Sequence, residues 1–336
     1  MKKFFAVMLS VMLSLSFFSF ACDKPEEKEE VSVKYFQQAS DMLPMLKQGV
    51  LDIGLLPEPA ATQLTKVASD KTWYKTNLQE LYDSEAKSYP QAVILVKQSL
   101  LNTYPDLVSR MASAFDANVQ WTKDNIAQAV NAINTVLPEG VAPSLKAPMI
   151  TADVIDGCNI YWQGATNSIN VVKNYINDIM AIEPTSAKAV CDDLFYNGQA
   201  QGEFVGDTVK VVAPDGAPAL VIAKFINDNE NFGKEKTFSY SVVMANTIGS
   251  AVQKGEGDIV ILPVNAATKL YKANVNDAYK LISVVTHGNL YIMSTEKINS
   301  IKDIKDKTIG VIGQGLVPDL TFKAVLKKNS MSVKIA

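Results

Sequence analysis

The stretch IGLLPEPAATQL, Ile53–Leu64, has a second copy far along the chain, IVILPVNAATKL, Ile259–Leu270. The offset is constant. Gly49, Asp52, Pro57, Ala60, Ala61, Thr62 and Leu64 match Gly255, Asp258, Pro263, Ala266, Ala267, Thr268 and Leu270. A helical pattern with Gly near its end precedes each copy, ASDMLPMLKQG at Ala39–Gly49 and ANTIGSAVQKG at Ala245–Gly255. Helix, Gly turn, Asp, apolar strand, Pro loop and helix, written twice, imply two lobes on one plan. The alternative is a chance likeness of two ordinary strand–helix units. Paired lobes place a ligand in the cleft between them.

The remaining chain reads as short apolar strands alternating with helices. Val31–Gln37 alternates as a strand, and Ser40 is placed to cap a helix over Asp41–Gln48. Leu51–Leu56 and Ala92–Lys97 are apolar strands. Helical patterns cover Tyr104–Phe115, Val119–Leu137, Thr151–Tyr161 and Gln163–Ile182, punctuated by Pro138, Pro143, Pro148 and Pro184. NGQAQGEFVGD, Asn197–Asp207, is a Gly-rich linker. Strands follow at Val209–Ala213, Thr237–Val243, Leu281–Thr286, Leu290–Ser294 and Thr308–Ile312, and a helix at Pro318–Lys328. This is an α/β pattern with largely parallel sheets.

The start of the chain has the form of an export signal. Lys2 and Lys3 precede an apolar run of 17 residues, Phe4–Phe20, short of the roughly 20 that span a membrane. Ser19-Phe20-Ala21-Cys22 follows, a small residue directly before Cys, as at a lipoprotein processing site that lipidates Cys22. Ser19 and Phe20 depart from the usual Leu then small residue, so a plain membrane anchor is the alternative. Residues 1–21 are thus read as signal peptide and 22–30 as a charged, solvated tether. Losing Lys2 and Lys3 moves the formal net charge from −3 to −5, an acidic balance that argues against nucleic acid. With Cys22 lipidated, Cys158 and Cys191 either pair or stay as buried free thiols. No spacing suggests a metal site or a cofactor. The length suits two lobes.

Several segments resemble the periplasmic-binding-protein fold of the nitrate/sulfonate/taurine and thiamine-precursor type, the solute receptors of ABC importers. They are VKVVAPDGAPALVIAKF (Val209–Phe225), GEGDIVILPVNAA (Gly255–Ala267), KTIGVIGQGLVPDLTFKAVLKK (Lys307–Lys328), VSVKYF (Val31–Phe36) and LPMLKQGVLDIGLLPEPAA (Leu43–Ala61). The resemblance covers nearly the whole mature chain and implies a two-lobed, type II-like α/β fold. The order departs from the family: residues 207–336 look like its first half and 31–198 like its second. The chain therefore looks circularly permuted, its old termini joined through linker 197–207. The expected division is lobe two at 31–92 plus 306–336 and lobe one at 93–305.

Ligands of open α/β lobes sit beyond the carboxyl ends of strands, near helix N-termini. The candidate ligand-binding residues are Asp215, Gly216 and Ala217 before Pro218; Asn246 and Thr247; and Asn265, His287, Gly288 and Asn289 on lobe one. Gln38, Glu58, Gln314 and Gly315 stand on lobe two. Each Asn, Thr or Asp could equally be a helix cap, and His287, the only histidine, an ordinary core or surface residue. Trp162, Tyr161 and Trp121 could stack on a ring, though such residues in helical patterns are usually core. The chain has a single arginine, Arg110, inside a predicted helix, so no bidentate carboxylate clamp is expected. That favours a neutral or cationic ligand, or an anion held by helix N-termini, with Glu58 available to a ligand amine. The reading is a lipid-anchored extracytoplasmic solute-binding protein working with an importer's permease and ATPase. An enzyme on the same fold (pyrimidine-precursor or menaquinone-pathway-like) and a ligand sensor are the alternatives. With one histidine and no nucleophile–base spacing, no catalytic residue is assigned.

Overall fold

The computed structural model describes residues 29–273 and 277–336. Residues 1–28, expected above to hold a signal peptide, the lipidated Cys22 and a tether, lie outside the described residues. Among the described residues there are twelve strands: β1 (Glu29–Phe36), β2 (Ile53–Pro57), β3 (Tyr74–Asn77), β4 (Ala92–Lys97), β5 (Ile160–Gly164), β6 (Thr208–Pro214), β7 (Thr237–Val243), β8 (Ile259–Pro263), β9 (Tyr279–Thr286), β10 (Leu290–Ser294), β11 (Thr308–Ile312) and β12 (Met331–Ile335). They form two six-stranded sheets, ordered β12-β1-β11-β2-β10-β3 and β5-β9-β4-β8-β6-β7. The fold is α/β. In the first sheet β12, β1, β11 and β2 run parallel and β10 antiparallel. In the second, β7, β6 and β8 run parallel and β4 antiparallel.

The two sequence copies become the same unit in different sheets: β2 with the helix Ala60–Val67, and β8 with the helix Val264–Leu270. Gly49 and Gly255 adopt φ of 72° and 69°, the left-handed turn that ends each preceding helix. The matched aspartates serve different ends. Asp52 is exposed, whereas buried Asp258 accepts from Lys97 Nζ at 2.9 Å and from the Lys210 N–H at 2.8 Å.

Strand β4 shows why the second sheet reads as an unbroken apolar run. Val93 and Leu95 face the core that joins the two halves, while Ile94 and Val96 face the helical layer outside. The joining core also holds Val33 and Ile309 of the first sheet and Tyr175 and Phe322 from helices Ala165–Met180 and Val317–Lys328. A third apolar cluster, with Met42, Leu46 and Leu64, covers the outer face of the first sheet.

Thr308–Ile312 and Ile53–Pro57 pair directly, Ile309 opposite Ile53, with β1 on the other side of β11. The division at residue 305 needs correction: Leu290–Ser294 belongs to the first sheet, between β2 and β3. The change of sheet falls at His287–Asn289, where β9 has ended and β10 has not begun. Three local expectations also fail. Ser40 lies inside the helix Ala39–Gln48, whose N-cap Gln38 makes no side-chain capping bond. The helix expected through Tyr161 stops at Gly157, and Ile160–Gly164 instead joins β9 as an edge strand. Helices Leu107–Asp124 and Ile126–Thr135 meet at Asn125, not near residue 116.

Gly310 on β11 marks the tightest packing beneath the helix Ala39–Gln48. A Cβ there would lie 2.5 Å from Leu51 Cδ2 and 2.9 Å from Met42 Sδ. Gly310→Val is expected to lift that helix and cost about 1–3 kcal/mol, read as a lower urea midpoint with unchanged slope.

Candidate functional site

Parallel strands end together, so each sheet gathers its loops on one edge. In the first sheet the Gly313 N–H donates to Phe36 O at 2.9 Å, which sets the Gln38 loop beside Gly313–Gly315. In the second the Asp215 N–H donates to Val243 O at 2.8 Å and joins the loops after β6 and β7. Between the two halves lies a cavity of about 440 Å³. Gln314, Gly315, Leu320 and Lys323 line it from the first half, and Ile182, Glu183, Thr185, Ser186 and Lys269 from the second.

A fully buried carboxylate organises the first wall. Asp319 accepts from Tyr35 O–H at 3.0 Å, from the Gly315 N–H at 2.8 Å and from Lys323 Nζ at 2.8 Å. Burial works against the Lys323 ammonium, but hydrogen bonds to Asp319 and Tyr35 outweigh it and hold its pKa above the usual lysine value. Burial likewise raises the Tyr35 phenol. On the second wall, Asn265 Nδ2 donates to Ser186 O at 3.1 Å, and the buried Ser186 Oγ has no hydrogen-bond partner among the described residues. Hydrogen bonds from the Thr185 hydroxyl and N–H, with Lys323 and Lys269 nearby, keep Glu183 below its ordinary pKa. Lys269 makes no ion pair among the described residues. The cavity thus presents two ammonium groups, one carboxylate and several neutral donors.

Of the residues expected at a site, Gln314 and Gly315 line this cavity and Asn265 supports its wall. Asp215, Gly216, Ala217, Asn246 and Thr247 do not line it. Both Asp215 oxygens are spent on backbone, from the Ser144 N–H at 2.9 Å and the Gly216 N–H at 2.8 Å. The Thr247 hydroxyl donates to Met244 O, and Asn246 and Gln38 are exposed.

Glu58, His287, Gly288 and Asn289 gather elsewhere, where the chain passes between sheets. Those passages are two and lie side by side: the Tyr89 N–H donates to His287 O at 3.3 Å and the Gln91 N–H to Thr286 O at 2.9 Å. Glu58 is 1% exposed, so the expectation that it meets a ligand amine is corrected. Its carboxylate accepts from Thr62 N–H and Oγ1 and pairs with Lys75, whose Nζ sits 3.8 Å from the centre of the Tyr291 ring. A buried charge needs such a partner within the fold. Asn289 Nδ2 donates to Glu58 O at 3.1 Å, and Asn159 Nδ2 to Gly288 O at 2.7 Å. His287 stacks on Tyr161 with ring centres 3.5 Å apart and donates Nε2–H to Tyr161 O at 3.1 Å. Trp162 packs edge-on against Phe115.

Cys158 is buried and Cys191 exposed, and neither is in a disulfide among the described residues, so they neither pair with each other nor both lie in the core. Arg110 pairs with Asp106 beside a hollow of about 490 Å³ that only the second half lines and that holds no expected site residue. Among the described residues no group of His, Cys, Asp and Glu could hold a metal ion, and no helix is long and apolar enough to cross a membrane. The sequence reading missed Lys269, Ser186, Lys323 and Asp319. Lys269 was visible as one of the positions where the second copy departs from the first, and Asp319 as an acid in a helix's first turn. Nothing local marks Ser186.

No protein-family model matches the chain, and none of the curated proteins matches it. Among solved structures it is similar to NikA from Brucella suis in complex with Fe(III)-EDTA, at 8% identity and a TM-score of 0.29. That alignment covers 79% of this chain and spans 58% of NikA.

Burial lowers the His287 pKa from 6.5 to about 4. The folded ring is neutral, so its contribution to stability is present above pH 6.5 and is lost as pH falls towards 4, where only the unfolded chain takes up the proton. As the chain's one histidine, its imidazole is read by NMR without assignment. It is expected to stay neutral down to about pH 5; titration near pH 6.5 would show a solvated ring. His287→Gln should flatten the pH dependence of stability between pH 6.5 and 4.

Proposed function

We propose that this chain is an extracytoplasmic solute-binding protein that holds a small polar molecule between its halves and delivers it to an ABC importer. The observation that carries the reading is the cavity of about 440 Å³ lined from both halves, with Gln314, Gly315 and Lys323 opposite Lys269 and Ser186. A ligand touching both walls is buried by their closure, and its binding energy favours the closed arrangement. The doubled strand–helix unit, one copy per sheet, and the paired passages at Tyr89–Gln91 and His287–Asn289 suit two bodies that move about one bend. The resemblance to nitrate/sulfonate/taurine receptors supplies the importer class and the permuted order. The parallel pairing of Val31 with Val333 suits that order, since it sets the segments on either side of the expected cut side by side. Cys22 carries the lipid that anchors the protein outside the membrane.

A thermal-shift screen against nitrate, sulfonates, pyrimidines and vitamins, followed by calorimetry, tests the reading. For a compound that binds, Lys269→Ala is expected to cost about 1–3 kcal/mol, or about 5- to 150-fold in affinity, while Arg110→Ala leaves affinity unchanged. Equal effects from both would place the ligand outside this cavity. Cys22→Ser should abolish lipid labelling and release the protein from membranes; retention after carbonate washing would make the first segment a membrane anchor.

A further inference from the structure

Strand β12 repeats the sequence of β1. Residues 328–336, KNSMSVKIA, align with residues 28–36, KEEVSVKYF, at a constant offset. Lys28, Ser32, Val33 and Lys34 recur as Lys328, Ser332, Val333 and Lys334, and Val31 as the apolar Met331. The two strands lie side by side and parallel, Val31 opposite Val333 and Val33 opposite Ile335. Only β1 also touches β11, through Ser32↔Thr308, Val33↔Ile309 and Lys34↔Gly310. Those three inward partners are the residues that β12 reproduces. β12 instead forms the sheet edge, with Ile335 74% exposed.

We propose that β12 is an alternative occupant of the position β1 fills beside β11, and that exchange of the two strands switches the cavity. The move is short. β12 already runs in the right direction with its apolar residues on the right face. It must shift sideways by one strand spacing, about 4.8 Å, and slide by two residues, about 7 Å. A slide of two residues keeps every side chain on its face. Unwinding about four residues at the end of the helix Val317–Lys328 supplies that length, since an extended residue spans about 1.8 Å more than a helical one.

The residues that differ set the balance and the consequence. β1 brings Tyr35, which donates to Asp319, and Phe36, which packs on the outer cluster. β12 would bring Ile335 and Ala336 to those places. Burying Ile335 favours the exchange; losing a donor to a fully buried carboxylate opposes it. Asp319 also holds the Gly315 N–H and Lys323, both in the cavity wall, so the exchange loosens that wall. The link to ligand rests on the cleft reading above, while the exchange itself is tested without any ligand.

Disulfide trapping in the full chain, with its own cysteines replaced by serine, decides the matter. Thr308 and Ser332 lie two strands and two residues of register apart, about 12 Å, beyond the reach of a disulfide. Thr308→Cys with Ser332→Cys therefore closes only when β12 sits beside β11, whereas Glu30→Cys with Ser332→Cys reports the arrangement described above. Both pairs are expected to form in a glutathione buffer, the second faster. Tyr35→Val should raise the yield of the first several-fold, and Ile335→Asp, harmless at the exposed edge, should abolish it by setting a carboxylate against Asp319. Absence of the Thr308–Ser332 cross-link in both the parent and Tyr35→Val chains overturns the proposal. So does a yield that Ile335→Asp leaves unchanged, because the cross-link then arises from fraying alone.

Discussion

The pairing of β1 with β11 is the contact on which the first half depends. It joins segments from opposite ends of the described chain, Ser32 with Thr308 through Phe36 with Ile312. Closing so long a loop costs entropy that local structure cannot return. The return comes from Val33 and Ile309, both fully buried, and from the helix Ala39–Gln48 seated over Gly310. The same pairing aligns the ends of β1 and β11, and that alignment sets Tyr35 against Asp319 and forms one wall of the cavity.

Two buried carboxylates show how the molecule handles charge at the meeting of its halves. Asp319 is met by a phenol, an N–H and an ammonium, each from a different part of the first half, and two of these partners, Gly315 and Lys323, line the cavity. Glu58 is met by Thr62 and Lys75, all within that half, and nothing of it remains for solvent or solute. A desolvated carboxylate left without donors would destabilise the fold by several kcal/mol. The difference between the two carboxylates therefore lies in what their partners touch. Lys323 lines the cavity; Lys75 lies over the Tyr291 ring.

The passages between sheets are buried, as the cores are. His287, Asn289 and Tyr89 are almost wholly buried, and the His287 ring is held neutral against Tyr161. Polar side chains there serve backbone carbonyls that the crossing leaves without strand partners, Asn289 Nδ2 donating to Glu58 O and Asn159 Nδ2 to Gly288 O. Their position at a strand end, which marked them as candidate ligand contacts, reflects this demand.

Periodicity and repetition in the sequence determined the strand–helix units, the α/β class and the duplication, because each depends on neighbours within a few residues. The matched stretches Ile53–Leu64 and Ile259–Leu270 form the same unit because the same apolar run and the same Gly turn act locally in both. Tertiary structure alone decided sheet membership. Leu290–Ser294 joins the first sheet through its partners Ile53–Pro57 and Tyr74–Asn77, which nothing in its own residues specifies. Ile160–Gly164 becomes a strand because the edge of β9 offers it hydrogen bonds, overriding a helical pattern. The role of each polar residue was likewise settled by its partner in space. Glu58 and Gln314 look alike as loop residues after apolar strands, but one met a lysine in the core and the other solvent in a cavity. A charge's environment is a sum over distant chain segments, and no local pattern contains that sum.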